Sequence, residues 1–409
     1  MPVVEEEVLH ARCAGLDISK RDAKCCVRVL PEGKKRPVLD RTCWGATVAQ
    51  VDKLRRHLED SGVTCVVMEA TSTYWKPFYY GLEGASFEVV LVNARHVRQM
   101  KGRKSDVADA AWLARLAALG SVSGSFVPPD LIRGLRLATR RRVTLVGQAT
   151  AEASRLEKLL EDCCLKLSAV SSKLLTKTGR SVLDQICGGV TDPAKLAAGS
   201  KLRVSREDLE EALANRVQPW HAEMIRSHLR TIDHLEAEAA AAEAEIEMLV
   251  EPFKADRDLL ETVPGVCRTL ANDILAEIGP DMSVFPSAAH LASWAGVAPG
   301  SNESAGVVKS ARCRDGNNHL KRAIGIATMA AVKRDDNHVA ARYKRLRYRK
   351  GHPKALVAAM RTMLTAIWHI LNDGVPYKDL GADFYDRRDT ERTIARLQAR
   401  IDALKGEPA

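Results

Sequence analysis

Four carboxylates in the amino-terminal part of the chain have the types and spacing of a metal-dependent nuclease site. Asp17 lies near the end of an apolar run, and Glu69 closes the apolar run VTCVVME. Asp106 and Asp109 are three residues apart, so one face of a helix can present both. Each acid alone could instead cap a turn or stabilise the start of a helix. Together, in this order, they favour a site for Mg²⁺ or Mn²⁺, which prefer oxygen ligands and can act as a pair about 4 Å apart on a phosphodiester.

These acids need a sheet to bring them together, and the surrounding pattern predicts one. Short apolar runs predict three strands at RCAGLDI, AKCCVRVL and PVLDRTC, followed by a helix near residues 47–59. The nearly continuous apolar runs VTCVVMEA and FEVVLVN predict buried parallel strands with a helix between them. This is the strand order of an RNase H-like sheet. Ser105 can cap a further helix that carries Asp106 and Asp109 and ends at Gly120.

The rest of the chain is predicted to be helical. Apolar residues spaced alternately by three and four run from Leu131 to about Leu167 and from about Pro219 to Leu249, which is typical of a coiled-coil seam. We therefore predict a RuvC-like α/β nuclease domain at 1–128 and long coiled-coil helices, a spacer or assembly arm, at 129–252. A mainly α, basic domain follows at 253–380, and a helical tail at 381–409.

The positive charge is concentrated in one segment. The formal net charge is +10, and residues 301–350 hold thirteen Lys or Arg against four Asp or Glu. Such a segment favours a polyanionic partner, since each phosphate contact releases counterions; a solvated basic surface is the alternative. The turn TVPGV between two apolar helices resembles a helix-hairpin-helix turn, which binds phosphate through backbone amides; a helical hairpin that binds no ligand is the alternative. The candidate nucleic-acid contacts are Lys101, Arg103, Lys104, Gly265, Lys309, Arg312, Arg314, Lys321 and Arg322.

Several other classes of protein lack support in the sequence. The ten cysteines include no C-x-x-C pair, so neither a zinc site nor a disulfide framework is indicated. A GxxxxGK[ST] phosphate-binding loop is absent, and we expect no ATP requirement. The first residues carry no apolar signal segment, and no run approaches the length of a membrane span. We expect a cytoplasmic protein without a membrane partner.

One serine in the basic segment lies beside small residues that would allow close approach to a substrate. It is Ser304, in the loop-rich stretch GSNESAGVVKS, with Ser301 and Ser310 nearby. From spacing alone a single loop serine is an ordinary structural residue, and the sequence assigns no histidine or lysine partner to it, so only a resemblance to a known family can favour Ser304 as a nucleophile.

Motifs along nearly the whole chain resemble the transposases of the insertion-sequence 110 family, the RNA-guided "bridge" recombinases. The motifs are GLDISK, VVMEATSTYWKPFYYGLE, LVNARHVRQMKGRKSDVADAAWLARL, VPGV, FPSAAHLASWAGVAPGSNESAG and DGNNHLKRAI. The resemblance implies a RuvC-like metal site at Asp17, Glu69, Asp106 and Asp109, and Ser304 as the nucleophile that forms a phosphoserine link to DNA. It also implies target and donor DNA, a structured non-coding guide RNA, and a homodimer or homotetramer in which serine and acids of one working site come from different subunits.

Two other functions compete with this interpretation. A Holliday-junction endonuclease would use the same acids with water as the nucleophile, and Ser304 would be incidental. A non-catalytic nucleic-acid-binding assembly protein would use neither, but the intact set of four acids argues against it.

Overall fold

A computed structural model describes residues 8–70, 72–93, 109–170, 174–198, 204–300, 302–304, 307–310, 312–313, 315–388 and 390–406. Internal contacts divide the chain into two compact units, Met1–Val127 and Pro128–Ala409. The finer division into four regions stays a prediction.

The first unit is a mixed α/β sheet. Its described strands form one sheet in the order β3-β2-β1-β4-β5, with antiparallel pairs β1–β2 and β2–β3 and parallel pairs β1–β4 and β4–β5. The order of elements confirms the predicted RNase H-like succession. The elements are β1 (Arg12–Ile18), β2 (Asp22–Val29), β3 (Val38–Gly45), α1 (Val48–Asp60), β4 (Cys65–Glu69), α2 (Trp75–Leu82), β5 (Glu88–Val92) and α3 (Asp109–Ala118).

The two faces of this sheet are covered by different helices, because side chains alternate along each strand. Leu16 of β1 and Met68 of β4 face a core shared with α1 and α2. Cys13 of β1 and Val67 of β4 face the opposite core, shared with α3. Odd-numbered residues of β1 and β4 therefore lie on the α3 face of the sheet.

The second unit is mainly helical, as predicted, with one small β-hairpin in its described part. Asparagines and a serine begin several helices by accepting backbone N–H bonds, among them Asn317, Asn337 and Ser205. The elements are α4 (Asp130–Asp162), α5 (Leu167–Val170), α6 (Lys177–Cys187), α7 (Pro193–Ala198), α8 (Arg206–Leu213), α9 (Pro219–Val250), α10 (Lys254–Glu261), α11 (Arg268–Ile278), α12 (Ala288–Trp294), β6 (Asn302–Ser304), β7 (Val307–Ser310), α13 (Asn318–Val332), α14 (His338–Lys350), α15 (His352–Asp373), α16 (Phe384–Arg388) and α17 (Thr390–Gly406).

The two long helices α4 and α9 pack against each other within the chain. Arg142 Nε lies 3.0 Å from a Glu243 carboxylate oxygen, and His228 Nδ1 lies 2.7 Å from Glu152 Oε1. Residues further along α4 contact residues earlier in α9, so the two helices are antiparallel. We call this pair of helices the helical arm. The predicted apolar seams thus cover each other in one chain. A coiled coil between subunits stays a prediction.

The first long helix is shorter than predicted. It ends at Asp162, because Cys164 adopts a left-handed conformation with φ of 56°. Cys163 and Leu167 are nevertheless buried, and they belong to the core at the far end of the helical arm. The hydrophobic spacing therefore predicted burial correctly at both positions but extended the helix too far.

The helices α10 to α15 form the body from which the arm extends. Helix α11 is its centre, since every residue from Leu270 to Ile278 is buried. In the described part, His352–Asp373 (α15) is the one helix long and apolar enough to pass a length-and-hydropathy test for a membrane span, with a mean hydropathy of 1.2. Core residues of that helix, such as Met363 and Leu364, are buried within the body.

Candidate active site

Asp17 and Glu69 lie side by side at one edge of the sheet. The parallel register of β1 and β4 pairs Leu16 with Met68, so the next residue on each strand is one of the acids. Both are half-buried. Both are also odd-numbered positions and so lie on the face covered by α3. The backbone therefore brings Asp17 and Glu69 to adjacent strand ends, as the sequence predicts.

Helix α3 runs antiparallel to β1, and this brings Asp109 to the same edge. The Leu9 backbone N–H donates to the Ala118 carbonyl, and Cys13 Sγ donates to the Ala114 carbonyl at 3.1 Å. Further along the strand, a methyl group on Gly15 would lie 2.1 Å from the Ala110 carbonyl oxygen and 2.4 Å from the Ala114 nitrogen. Glycine at this position lets the helix lie directly on the strand. Its first residue, Asp109, therefore lies towards the end of β1 that carries Asp17.

The donor set at this edge fits divalent ions of the magnesium class, because it consists of carboxylate oxygens at strand and helix ends. Asp106 lies outside the described residues, so the structure brings together three of the four predicted acids. Among the described residues, a different group, His10, Cys65 and Glu88, has its possible ligand atoms within 4.8 Å of one another.

The His10, Cys65 and Glu88 group lies at the other end of the sheet, where β4 and β5 begin. Burial raises the pKa of the Cys65 thiol to about 12. A thiol must lose its proton to bind a metal, so this environment opposes metal binding. His10 Nδ1 is also engaged with the Thr64 hydroxyl at 3.0 Å. We assign this group no function.

Lys24 is a residue that the sequence analysis missed. It is paired directly with Asp17 across β1 and β2, so its side chain lies on the same face of the sheet as the acids, and it is exposed. A cation at this place can bind the phosphate backbone of a substrate held by the acids. The two short strands could have been aligned through the turn between them, which would have placed Lys24 opposite Asp17.

Ser304 lies at the end of a strand, not in the predicted loop. Strands β6 and β7 pair antiparallel, Ser304 is paired with Val307, and only Ala305 and Gly306 separate them in the sequence. We call residues 302–310 the serine hairpin. The hydroxyl of Ser310 accepts the Arg312 backbone N–H at 3.2 Å, which gives this nearby serine a structural role. Ser301 lies outside the described residues.

The base of the serine hairpin is joined to the helical body by backbone contacts. Gly300 N–H donates to the Arg312 carbonyl, and Asn317 N–H donates to the carbonyl of Trp294 at the end of α12. A methyl group on Gly316 would lie 2.3 Å from the Gly296 nitrogen, so only glycine allows this close approach. The hairpin therefore begins and ends beside α12 and the start of α13.

A buried ionic cluster contacts the start of α13 next to this junction. Glu277 of α11, 2% exposed, accepts two bonds of 2.8 Å from Arg140 of the helical arm and one of 2.6 Å from the Asn317 side chain. Burial raises the pKa of Glu277, but the hydrogen bond from Arg140 and the charges of Arg136 and Arg140 outweigh it, and the pKa is lowered. The arm, α11 and the start of α13 thus meet at one carboxylate.

The structure describes some of the predicted nucleic-acid contacts, and their surroundings differ. Gly265 has φ of 85°, and a methyl group there would lie 2.1 Å from the Ala327 carbonyl, so helix packing already requires glycine; phosphate binding by this turn stays a prediction. Arg322 lies 3.6 Å from Asp273, whereas Arg312 is exposed and Lys321 half-buried. For Lys309 only the backbone is described, in β7. Lys101, Arg103, Lys104 and Arg314 lie outside the described residues.

Two protein-family models match separate regions of the chain. The DEDD transposase model of the IS110 family, described as "Transposase", matches residues 14–165, which include all four acids. A second model, described as "Transposase IS116/IS110/IS902 family", matches residues 257–344, which include the serine hairpin. The first match covers most of the first compact unit and continues along α4 of the second, and the second match lies wholly in the second unit.

Relatives in other insertion elements support the same grouping. The "Insertion element IS110 uncharacterized 43.6 kDa protein" of Streptomyces coelicolor is 36% identical over 142 residues, which are 34% of each chain. The "Insertion element IS900 uncharacterized 42 kDa protein" of Mycobacterium paratuberculosis is 26% identical over 67% of this chain and 73% of its own. The "Insertion element IS116 uncharacterized 44.8 kDa protein" of Streptomyces clavuligerus is 24% identical over 70% of this chain and 76% of its own. The matched region thus spans about a third of the first relative and about three quarters of the others.

The sheet order and its acid-bearing edge define the first unit as RNase H-like. With both family models matched in their expected order, the chain belongs to the IS110 family of transposases.

Proposed function

We propose that the protein is an RNA-guided DNA transposase that cleaves and rejoins strands through a serine-linked intermediate. The observation that carries the proposal is the meeting of Asp17, Glu69 and Asp109 on one face and at one edge of an RNase H-like sheet. Acids scattered over a surface would not lie on the same face and at the same edge of a sheet, next to a helix that packs on that face. The acids argue for phosphodiester chemistry, and membership of the IS110 family argues for transposition.

The acid edge is the proposed metal site. Asp17, Glu69 and Asp109, with Asp106, would hold Mg²⁺ or Mn²⁺, since all supply the carboxylate oxygens that these ions prefer. The bound ions would polarise the scissile phosphate and stabilise charge on its oxygens. The chain's own contribution is to hold the acids in place, through the β1–β4 register and the contact of α3 with Gly15.

Ser304 is the proposed nucleophile. Its Oγ forms a bond to the scissile phosphorus as the bond to the leaving strand oxygen breaks, and the serine proton passes to a base and on to the leaving oxygen. The hydroxyl of a second strand then attacks the phosphoserine, which restores the serine and seals the new junction. Because each bond broken is replaced by an equivalent one, strand exchange needs no ATP. The position of Ser304 at the end of β6 is compatible with delivery into a substrate.

Guide RNA is the proposed source of sequence choice. The sequence holds no zinc finger or similar base-reading module, and pairing of a non-coding RNA with target and donor DNA would supply that selectivity. We further propose a cytoplasmic homo-oligomer, a dimer or tetramer, in which acids and serine of one working site come from different subunits. The outer surface of the helical arm is available for that assembly, since its inner surfaces cover each other.

A trapping experiment tests the chemistry. Protein, guide RNA, labelled target DNA and Mg²⁺ are mixed and separated on a denaturing gel, with Ser304→Ala beside the matched control Ser310→Ala. We expect a DNA–protein adduct that Ser304→Ala abolishes and Ser310→Ala retains. Free cleaved ends in all samples, without an adduct, would establish water as the nucleophile and favour the junction endonuclease. Asp17→Asn should bind DNA without cleaving it; unchanged cleavage would refute the metal site.

A further inference from the structure

A second site lies in the carboxy-terminal part of the helical unit, away from the serine hairpin in sequence. A cavity of about 490 Å³ opens between α14, α15 and the segment that follows α15. Its volume is in the range of small-molecule and cofactor sites. The lining side chains include Arg342, Arg361 and Lys378, and no carboxylate is among them. A cavity with three permanent cations and no acid is complementary to an anion.

The cations are available for a ligand. Arg361 and Lys378 are exposed, and neither has an ion pair within the described part of the chain. Arg342 donates through Nη1 to the Tyr385 hydroxyl at 3.1 Å, while its buried Nε has no partner among the described groups. Asp379, which follows Lys378 in the sequence, does not line the cavity and accepts the backbone N–H groups of His338 and Gly381. Arg342, Arg361 and Lys378 therefore form no ion pair among the described residues.

A buried histidine supplies an independent indication of a ligand. His338 is 6% exposed and lines the cavity, and its Nδ1 has no hydrogen-bond partner in the described structure. The ring is held in place, stacked on Tyr385 with centroids 5.2 Å apart and against the edge of Phe384 at 4.7 Å. Burial lowers the pKa of His338, with Asp379 opposing and Arg342 adding to the effect, so the ring is neutral at neutral pH. A neutral imidazole suits an uncharged polar group such as a base edge or a sugar hydroxyl.

The remainder of the lining suits a flat, partly apolar group. Ala366 and Ile370 of α15 and Val375 beyond it contribute apolar surface. The Thr365 hydroxyl donates to the Arg361 carbonyl of its own helix, so it needs no further acceptor from the protein. Phosphate alone would leave this surface and the histidine without a partner.

The surroundings indicate a polymer, not a free nucleotide. Helix α14, which contributes Arg342 to the cavity, is strongly basic along the same stretch; its exposed cations include Lys344, Arg345, Arg347, Arg349 and Lys350. A single phosphate needs one or two cations, whereas a row of them follows a backbone. We propose that this cavity binds an unpaired nucleotide of a single-stranded nucleic acid, with the phosphate on Arg361 and Lys378 and the base in the cavity. This inference rests on the proposed function only for the class of ligand.

Equilibrium binding by the full chain tests the inference. The probes are single-stranded RNA and DNA of roughly ten nucleotides, a duplex of the same length, and inorganic phosphate as competitor. Arg361→Glu with Lys378→Glu should weaken single-strand binding at least about tenfold and reduce the salt slope by about 0.7, the value for one lost phosphate contact, because both cations bind the same phosphate. Arg230→Glu, a single charge reversal at an exposed position of α9, is the control and should have a much smaller effect than either Arg361→Glu or Lys378→Glu alone.

A second variant tests the contribution of the bound base separately from that of the phosphate charge. Ala366→Phe fills the cavity without changing charge, so we expect weaker single-strand binding with an unchanged salt slope and unchanged duplex binding. Losses confined to RNA or to DNA identify which strand supplies the nucleotide, and both support the site. Equal losses on the duplex, equal losses in Arg230→Glu, or full displacement by millimolar inorganic phosphate would overturn it. A chain that binds here but forms no serine adduct would instead refute the proposed function and leave this inference standing.

Discussion

The side chain of Asn317 joins a buried acid to a helix start: its nitrogen donates to Glu277 Oε2 at 2.6 Å, and its oxygen accepts the His319 and Leu320 backbone N–H groups at 3.0 Å. Asn317 follows Gly316, which packs on the end of α12 at the base of the serine hairpin. Glu277 in turn holds Arg140 of the helical arm. A change at Glu277 therefore affects three elements that are distant in sequence.

We predict that Glu277→Gln destabilises the helical unit by about 3–5 kcal/mol, because it leaves the Arg136 and Arg140 charges beside a neutral group in a buried site. The measurement is the free energy of unfolding in urea. Glu236→Gln, on the exposed surface of α9, is the control and should stay within about 0.5 kcal/mol of the parent. Equal stability of both variants would show that the cluster contributes nothing net.

The pH dependence of stability should differ between the two buried acids of α11. The pKa of Glu277 is lowered, so its contribution is complete above the ordinary value of 4.5 and is lost as the pH falls through the lowered pKa. Burial raises the pKa of Asp273, with Arg142 and Arg322 opposing, so ionisation of Asp273 reduces stability as the pH rises above its ordinary value of 3.8.

Unfolding measured across the acid range checks these opposite signs. Glu277→Gln should flatten the rise of stability with pH, because it removes the group responsible for part of that rise. Asp273→Asn should steepen it, because it removes an opposing contribution. A change of the same sign in both variants would contradict the assignment.

We predict that Gly15→Ala both destabilises the first unit and impairs cleavage. The added methyl group meets backbone atoms of α3, which must move away from β1, at a cost of about 1–3 kcal/mol. The movement also displaces Asp109 from Asp17. Thermal unfolding and metal-dependent cleavage are the measurements. Gly147→Ala, in the exposed middle of α4 with open space around it, should instead stabilise by about 0.5–1 kcal/mol.

Lys24→Gln should weaken DNA binding and reduce its salt dependence by about 0.9 in slope, the value for one phosphate contact on duplex DNA. The reason is its position opposite Asp17 on the face of the acid edge. Lys53→Gln removes the same charge from the exposed surface of α1, which covers the other face of the sheet, and should leave the slope unchanged. Equal slopes for both variants would exclude Lys24 from the DNA contact.

The strand order and the acid edge could be predicted from the sequence because they depend on local patterns. Short apolar runs separated by turn residues predict β1 and β2, nearly continuous apolar runs predict β4 and β5, and an acid at the end of a buried strand is visible in the sequence itself. The helical arm was likewise visible as two seams of apolar residues, which need each other for burial. In each case the signal and the structure that it predicts occupy the same short stretch.

The features that escaped prediction depend on contacts between distant parts of the chain. Glu277 in sequence resembles a surface acid of an amphipathic helix, and only Arg140, far earlier in the chain, makes its burial favourable. The sequence of the serine hairpin predicts a loop, because Gly, Ser and Asn are frequent in and around it and its few β-forming residues, such as Val307 and Val308, are not an alternating run. The end of α4 depends on one left-handed residue, Cys164, whose type gives no warning of it.

The antiparallel course of the helical arm has a consequence for engineering. The chain leaves the body along α4 and returns along α9, so Gly134 and Leu249 lie next to each other although more than a hundred residues separate them. The far end has its own hydrophobic core, built from residues such as Leu156 and Ile232. The distal part is therefore an insertion with adjacent ends, and a short connection between the two helices nearer the body would remove it while leaving the Arg140–Glu277 contact intact. The length of the arm can therefore be changed without changing the residues that join it to the body.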